Sequence, residues 1–180
     1  MNSSVRTVLF EMMHDRGFVR LEYEDEHFLR FSDNQHNHTV ICFVNEHKVS
    51  VKKIKQIKEM LEKEITYSCA CLIILYKHLV TTFAKQFISS DVKNVFVQLF
   101  SEKELSFNIT KHIYVPKHTL LTSSQKKTVI STFKTPANHF PMMSHSDPVC
   151  RYFGCKPGSM FKIERPSETC GMYTLYRVVV

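Results

Sequence analysis

Ten histidines and six cysteines among 180 residues raise metal ligation first, because imidazole and thiolate are the usual zinc donors. The nearest pairs are Cys69-x-Cys71, Cys150-x4-Cys155 and His112-x5-His118. None has the paired C-x2-C spacing of a chelating turn, and thiols one residue apart on a strand share a face without forming that turn. The cysteines sit among hydrophobic neighbours, so the expectation is buried, reduced thiols and surface imidazoles, with no metal and no other cofactor. His36 and His38, in a polar loop, could take up metal only adventitiously.

Hydrolysis of nucleic acid by magnesium would need an Asp and a Glu-x-Lys triplet on adjacent strands of an α/β core. Asp33 exists, but the runs Cys69–Tyr76 and Asn94–Phe100 contain no acid, and Glu62 and Glu64 fall at the end of a helical pattern. Nuclease chemistry therefore lacks its metal ligands. There is no nucleophile elbow and no glycine-rich phosphate loop in a chain with four glycines, so no catalytic residue is assigned.

Charge is the stronger signal. The net charge is +7, and all of it lies after Ile109, where ten Lys and Arg face Asp147, Glu164 and Glu168 alone. A basic surface attracts nucleic acid phosphates or an acidic protein by the same Coulomb interaction, so the sign does not choose between them, and a plain solvated face is a third reading. Arg151, Arg165, Glu168 and Arg177 are the candidates for a partner contact. Arg165 and Glu168 flank one loop and could instead pair with each other to shape it.

The elements that must position these residues are legible. Asp147 before Pro148 reads as an N-cap and first helical residue, with Gly154 closing a helix over Pro148–Phe153. Pro157-Gly158 turns the chain into a strand over Met160–Arg165, a loop follows to Gly171, and Tyr173–Val180 is a second strand. Upstream, Thr122 with Gln125 makes a capping box that opens a helix from Ser123 to about Phe133, with Pro136 as its stop. In the first half, Val5–Asp15 and Val49–Glu64 have helical periodicity, Phe28–Phe31 and Thr39–Val44 read as strands, and Glu22–Glu26 as an acidic surface stretch. The lysines of Val49–Glu64 read as a DNA-binding edge or as a solvated helix face. Cys69–Tyr76, Leu79–Ile88 and Asn94–Phe100 read as strand, helix and strand, which implies parallel pairing in an α/β layer. The longest apolar run, Cys69–Tyr76, is far short of the roughly 20 residues of a membrane span. Met1–Phe10 lacks a secretory pattern, and an intracellular chain is expected.

The residues Asp147-Pro148-Val149-x-Arg151-Tyr152-Phe153-Gly154, then Lys156, Gly158, Lys162, Ile163, Arg165-Pro166-Ser167-Glu168-Thr169-x-Gly171-x-Tyr173, Tyr176 and Arg177, form one block at fixed offsets. This block resembles the C-terminal assembly domain of subunit five of eukaryotic DNA-dependent RNA polymerases, which is similar to its archaeal H-type counterpart. Asn108, Ile109, Thr110, His112, Val115, Pro116 and His118 extend the resemblance across the boundary segment. It covers the whole chain, strongly after Leu105 and weakly before Val49. The resemblance implies an α+β chain, with an N-terminal α/β jaw domain holding a mixed sheet over residues 1–109 and a small α+β assembly domain over 110–180. It also implies a non-catalytic polymerase subunit that docks on the largest subunit and forms part of the jaw near downstream duplex DNA, with no membrane and no small-molecule substrate. The implied partner-binding residues are Arg151, Tyr152, Arg165, Glu168, Tyr173 and Arg177.

Thr81-Thr82-Phe83-Ala84-Lys85-Gln86 aligns with a family segment Thr-Pro-Ser-Ala that lies near DNA, which makes Thr81 and Lys85 the DNA-proximal candidates. Thr82 and Phe83 replace Pro and Ser there. The drift of the first half, including a short Phe31–Val40 connection, points to a copy encoded by a large cytoplasmic DNA virus, working in the host cytoplasm; a cellular copy would be nuclear. The rival from another class is a free DNA-binding or transcription-regulating module with the same basic C-terminal surface.

Overall fold

The computed structural model describes residues 2–35, 37–64, 69–90, 96–169 and 171–180. The chain divides into two units, Met1–Phe107 and Asn108–Val180, and it is α+β with several sheets.

The first unit opens with helix α1 (Ser3–Asp15), whose stripe Val5, Val8, Leu9, Met12 and Met13 is buried. Gly17, at φ +88°, turns the chain into β1 (Arg20–Glu24), β2 (Phe28–Ser32) and β3 (His38–Val44). The short β4 (Lys48–Val49) leads into α2 (Val51–Glu64); then come β5 (Cys69–Tyr76), the short β6 (Leu79–Val80), α3 (Thr82–Ser90) and β7 (Phe96–Ser101). The five-stranded sheet has the order β1-β2-β3-β5-β7. It is mixed: β1-β2-β3 are antiparallel, whereas β3, β5 and β7 are parallel. Leu72, Ile73, Ile74 and Leu75 of β5 are all buried, as expected of a central parallel strand covered on both faces.

The two faces follow from register. Phe28 opposes Cys42 and packs with Val40, Val44, Ile54, Ile57, Leu72, Ile74 and Ala84, the core beneath α2 and α3. Phe31, three residues on, points to the other face and meets Phe10 of α1 edge-on, ring centroids 5.2 Å apart.

Several elements differ from the sequence reading, in the first unit β1, the β4–β6 pair and the starts of α2 and α3, and in the second the short strands over Lys117–Leu120 and Met142–Met143 described below. The acidic stretch over Glu22–Glu26 overlaps β1, a strand whose five residues are all exposed, so it carries no apolar alternation to reveal it. A register shift between Leu21 and Tyr23 interrupts it further. Lys48–Val49 and Leu79–Val80 pair in parallel just before their helices, so α2 and α3 begin two to three residues later than their periodicity suggests. Val49 of this pair is buried, and an apolar residue there reads equally as the first turn of a helix. Asn94 and Val95 of the expected last strand lie outside the described residues.

The second unit contains a 3-10 turn (Ile109–Lys111), β8 (Lys117–Leu120), α4 (Ser123–Phe133), a second 3-10 turn (Ala137–His139), β9 (Met142–Met143), α5 (Pro148–Phe153), β10 (Met160–Ser167) and β11 (Gly171–Val179). Its sheet has the order β8-β10-β11-β9. Both expected caps are present. The Thr122 and Gln125 side chains accept each other's backbone N–H at 3.3 and 2.9 Å, and the Asp147 carboxylate accepts from Val149 N–H at 2.8 Å. Gly154 closes α5 at φ +65°. Lys134, left-handed at φ 49°, ends α4 two residues ahead of Pro136, so the backbone turn rather than the proline is the stop. The core on the α5 side is Met143, Val149, Cys150, Cys155, Phe161, Ile163 and Val179.

Candidate protein-docking interface

The β10–β11 hairpin decides which side chains share a face. Its register pairs Phe161 with Arg177, Ile163 with Leu175 and Arg165 with Tyr173, and directly opposed residues of an antiparallel pair lie on the same side. Phe161 and Ile163 belong to the core under α5, so Arg165, Tyr173 and Arg177 belong to that side as well. Arg165 and Arg177 line a cleft of about 280 Å³ with Tyr114, Val115, His118 and Asp147. The Arg165 guanidinium lies over the Tyr173 ring, 5.5 Å from its centroid. Among the described residues Arg165 and Glu168 form no ion pair; Glu168 is exposed in the turn that joins the two strands.

The six predicted partner residues are thus not equivalent. Arg165 and Tyr173 are exposed and Arg177 half-buried, and these three sit together. Arg151 is half-buried on α5. Tyr152 is only 2% exposed, and its hydroxyl accepts from the Asn108 side-chain amide at 3.0 Å, so it supports the unit from inside.

Two residues outside the sequence-based candidates join this surface. Ile113 and Tyr114 are 89% and 87% exposed, and Tyr114 lines the cleft. An apolar pair beside arginines is the composition of an interface centre, where Tyr and Arg are enriched. The signal lies in the I-Y-V-P string, which has neither period 2 nor period 3.6 and so belongs to no packed element.

Thr81 in the first unit is committed locally: its hydroxyl accepts from Ala84 N–H at 3.1 Å at the start of α3. Lys85 is exposed one turn further on. Near them Phe83 is 75% exposed, and His47 stacks on His78 with centroids 4.9 Å apart. The lysine edge of α2 is partly occupied, since Lys55 and Lys58 lie over the Phe87 ring at 5.4 and 5.5 Å and Lys53 pairs with Glu46.

The residues weighed for chemistry are dispersed. Among the described residues no three His, Cys, Asp or Glu side chains gather around one point. Asp33 shapes a turn, accepting from the backbone of Gln35 and Asn37 and the Asn37 amide, each at 2.8 Å. His36 and the side chains of Glu62 and Glu64 lie outside the described residues. Cys42, Cys71, Cys150 and Cys155 are buried and in no disulfide. Burial pushes the Cys42 thiol up to about 12 against the opposing pull of Lys53, and burial helped by Asp147 pushes Cys150 up to about 11. Neither is an activated nucleophile.

The profile of the family described as "RNA polymerase Rpb5, C-terminal domain" matches residues 107–179, which include the hairpin, α5 and the exposed Ile113-Tyr114 pair. Over the whole chain, the "DNA-directed RNA polymerases I, II, and III subunit rpabc1" of Dictyostelium discoideum is 32% identical across 191 residues, covering 98% of this chain and 95% of the relative. The corresponding RPABC1 subunits of Caenorhabditis elegans and Caenorhabditis briggsae are 30% and 31% identical, each across 98% of this chain and 94% of the relative. Because this similarity runs through both units and not only the hairpin, the chain belongs to the Rpb5 (RPABC1) family of DNA-directed RNA polymerase subunits.

Proposed function

We propose that the chain is a non-catalytic subunit of a multisubunit DNA-directed RNA polymerase. The second unit docks on the largest subunit through the surface formed by Ile113, Tyr114, Arg165, Tyr173 and Arg177. The first unit forms part of the jaw beside downstream DNA, with Thr81 and the exposed Lys85 on its DNA-proximal side. The observation that carries the reading is similarity to polymerase subunits across 98% of this chain and 95% of a relative. It is supported by an exposed cluster of aromatic, apolar and guanidinium groups where the family block is densest. The polymerase works in the cytoplasm of an infected cell if the gene belongs to a large DNA virus, and in the nucleus if it is cellular.

The test is purification of the tagged chain from its native source with a high-salt wash. Recovery of the two largest polymerase subunits in near-equal amounts, lost on deleting Asp147–Val180, is the expected result. A chain recovered alone, or only with DNA that salt removes, overturns the reading, because contacts to phosphate weaken steeply with salt whereas apolar burial does not.

A further inference from the structure

Strand β11 is longer than its outer neighbour. β9 pairs with it only at Val178 and Val179, and among the described residues no other strand runs along that side. Two hydrogen bonds fix which backbone groups face outward. Val178 N–H donates to Pro141 O at 2.9 Å on the β9 side, and Val179 N–H donates to Ser159 O at 2.8 Å on the opposite side. Backbone groups alternate sides along a strand, so Met172, Thr174 and Tyr176 turn their N–H and C=O to the outer edge, whereas Tyr173, Leu175 and Arg177 turn theirs to β10. Residues Gly171 to Thr174 are all exposed.

Sheet edges open to solvent are usually guarded by lysine, proline, a bulge or brevity. Gly171 to Tyr176 contains neither lysine nor proline, and its register with β10 runs unbroken from Met160–Val178 to Ser167–Gly171. Over Gly171 to Thr174 the edge is regular, exposed and without those guards, and it adjoins the face that carries Arg177 and Leu175. A unit holding ten Lys and Arg against three acids attracts an acidic chain, and the open N–H and C=O groups of a strand edge pair with polypeptide backbone, which a nucleic acid does not supply.

We propose that this edge receives an extended, acidic segment of another polymerase chain by β-strand addition, with a carboxylate beside Arg177 and an apolar side chain beside Leu175. The proposal rests on the subunit reading above and adds the mode of docking and the chemistry of the docked segment.

Amide hydrogen exchange of the full chain, free and within the purified polymerase, tests it. The Met172 and Thr174 amides slow by at least about tenfold in the complex, while those of Tyr173 and Leu175, already facing β10, change little. Thr174→Pro removes only an outward N–H and a proline is tolerated at such an edge. It therefore leaves the melting temperature of the free chain within a few degrees and lowers polymerase recovery by about tenfold or more. A chain that co-purifies with polymerase while Met172 and Thr174 exchange as fast as in the free protein overturns strand addition and leaves the subunit reading standing. Undiminished recovery with Thr174→Pro does the same. Failure of the wild-type chain to co-purify overturns both.

Discussion

The Asn108 side-chain amide donates to the Tyr152 hydroxyl at 3.0 Å, and both residues are buried. The Asn108 oxygen accepts at the same time from the Thr110 N–H and hydroxyl at 2.9 and 2.6 Å. One side chain thus shapes the turn before Ile113-Tyr114 and anchors it to α5. Tyr152→Phe removes a buried acceptor while keeping the ring, and is expected to lower stability by about 1–2 kcal/mol. Urea unfolding measures it, and polymerase recovery at temperatures where the variant is folded stays at the wild-type level.

The arginines of the cleft give the opposite pattern. Arg165→Ala and Arg177→Ala each weaken docking by about 1–4 kcal/mol, the range of an interface centre. Arg165→Ala also leaves stability nearly unchanged, since Arg165 is exposed. Competition between tagged wild-type and variant chains for one polymerase reads the difference directly. Lys85→Ala leaves that competition unaffected, because Lys85 belongs to the other unit.

A pH dependence follows from Lys162 and Glu164, hydrogen-bonded at 2.6 Å. The Lys162 ammonium, bonded to Glu164 and assisted by Lys117, holds that carboxyl below the usual range, and Glu164 in turn holds Lys162 above its own. The contribution from Glu164 is present above the ordinary carboxylate pKa and fades as pH falls through its depressed native value; that from Lys162 fades only as pH rises through its elevated one. Stability measured against pH shows a small acid-side loss that Lys162→Gln flattens.

The buried thiols define the alkaline limb. Cys42 and Cys150, pushed up to about 12 and about 11 by burial, stay protonated in the folded chain while the unfolded chain ionises from about 9 upward. Stability falls from that point, and Cys42→Ser makes the fall shallower without moving its onset, because Cys150 still contributes. Below it, a thiol reagent modifies these cysteines only at the rate of unfolding.

The α4 cap supplies a local test. Thr122→Ala removes the acceptor for Gln125 N–H and is expected to cost about 1 kcal/mol. The loss appears first as faster exchange of the α4 amides.

Where an element is decided by neighbours along the chain, local pattern is enough to place it. Thr122 and Gln125 set the start of α4, and Asp147, Pro148 and Gly154 set both ends of α5. Where it is decided by distant partners, local pattern fails: β1 exists only because β2 pairs with it, and the β4–β6 pairing joins residues about 30 apart. The same division holds in the site. The basic excess and the arginines are visible as composition. That Arg165 lies over Tyr173 depends on the hairpin register, and that Tyr152 turns inward depends on how α5 packs and on its bond to Asn108; no spacing within one element contains that information.

Helix α4 is capped well but buries none of its side chains completely, and its last residue, Phe133, meets Phe140 and Tyr176 edge-on, at 5.9 and 5.7 Å. Its inward face is a half-buried stripe of Lys126, Val129 and Ile130, with the Lys126 ammonium donating to Gly158 O at 2.6 Å. Its outward positions can therefore drift or be rebuilt by design with little thermodynamic consequence, which makes Ser124 or Lys127 the place to graft a fluorophore or crosslinker for following this subunit at work.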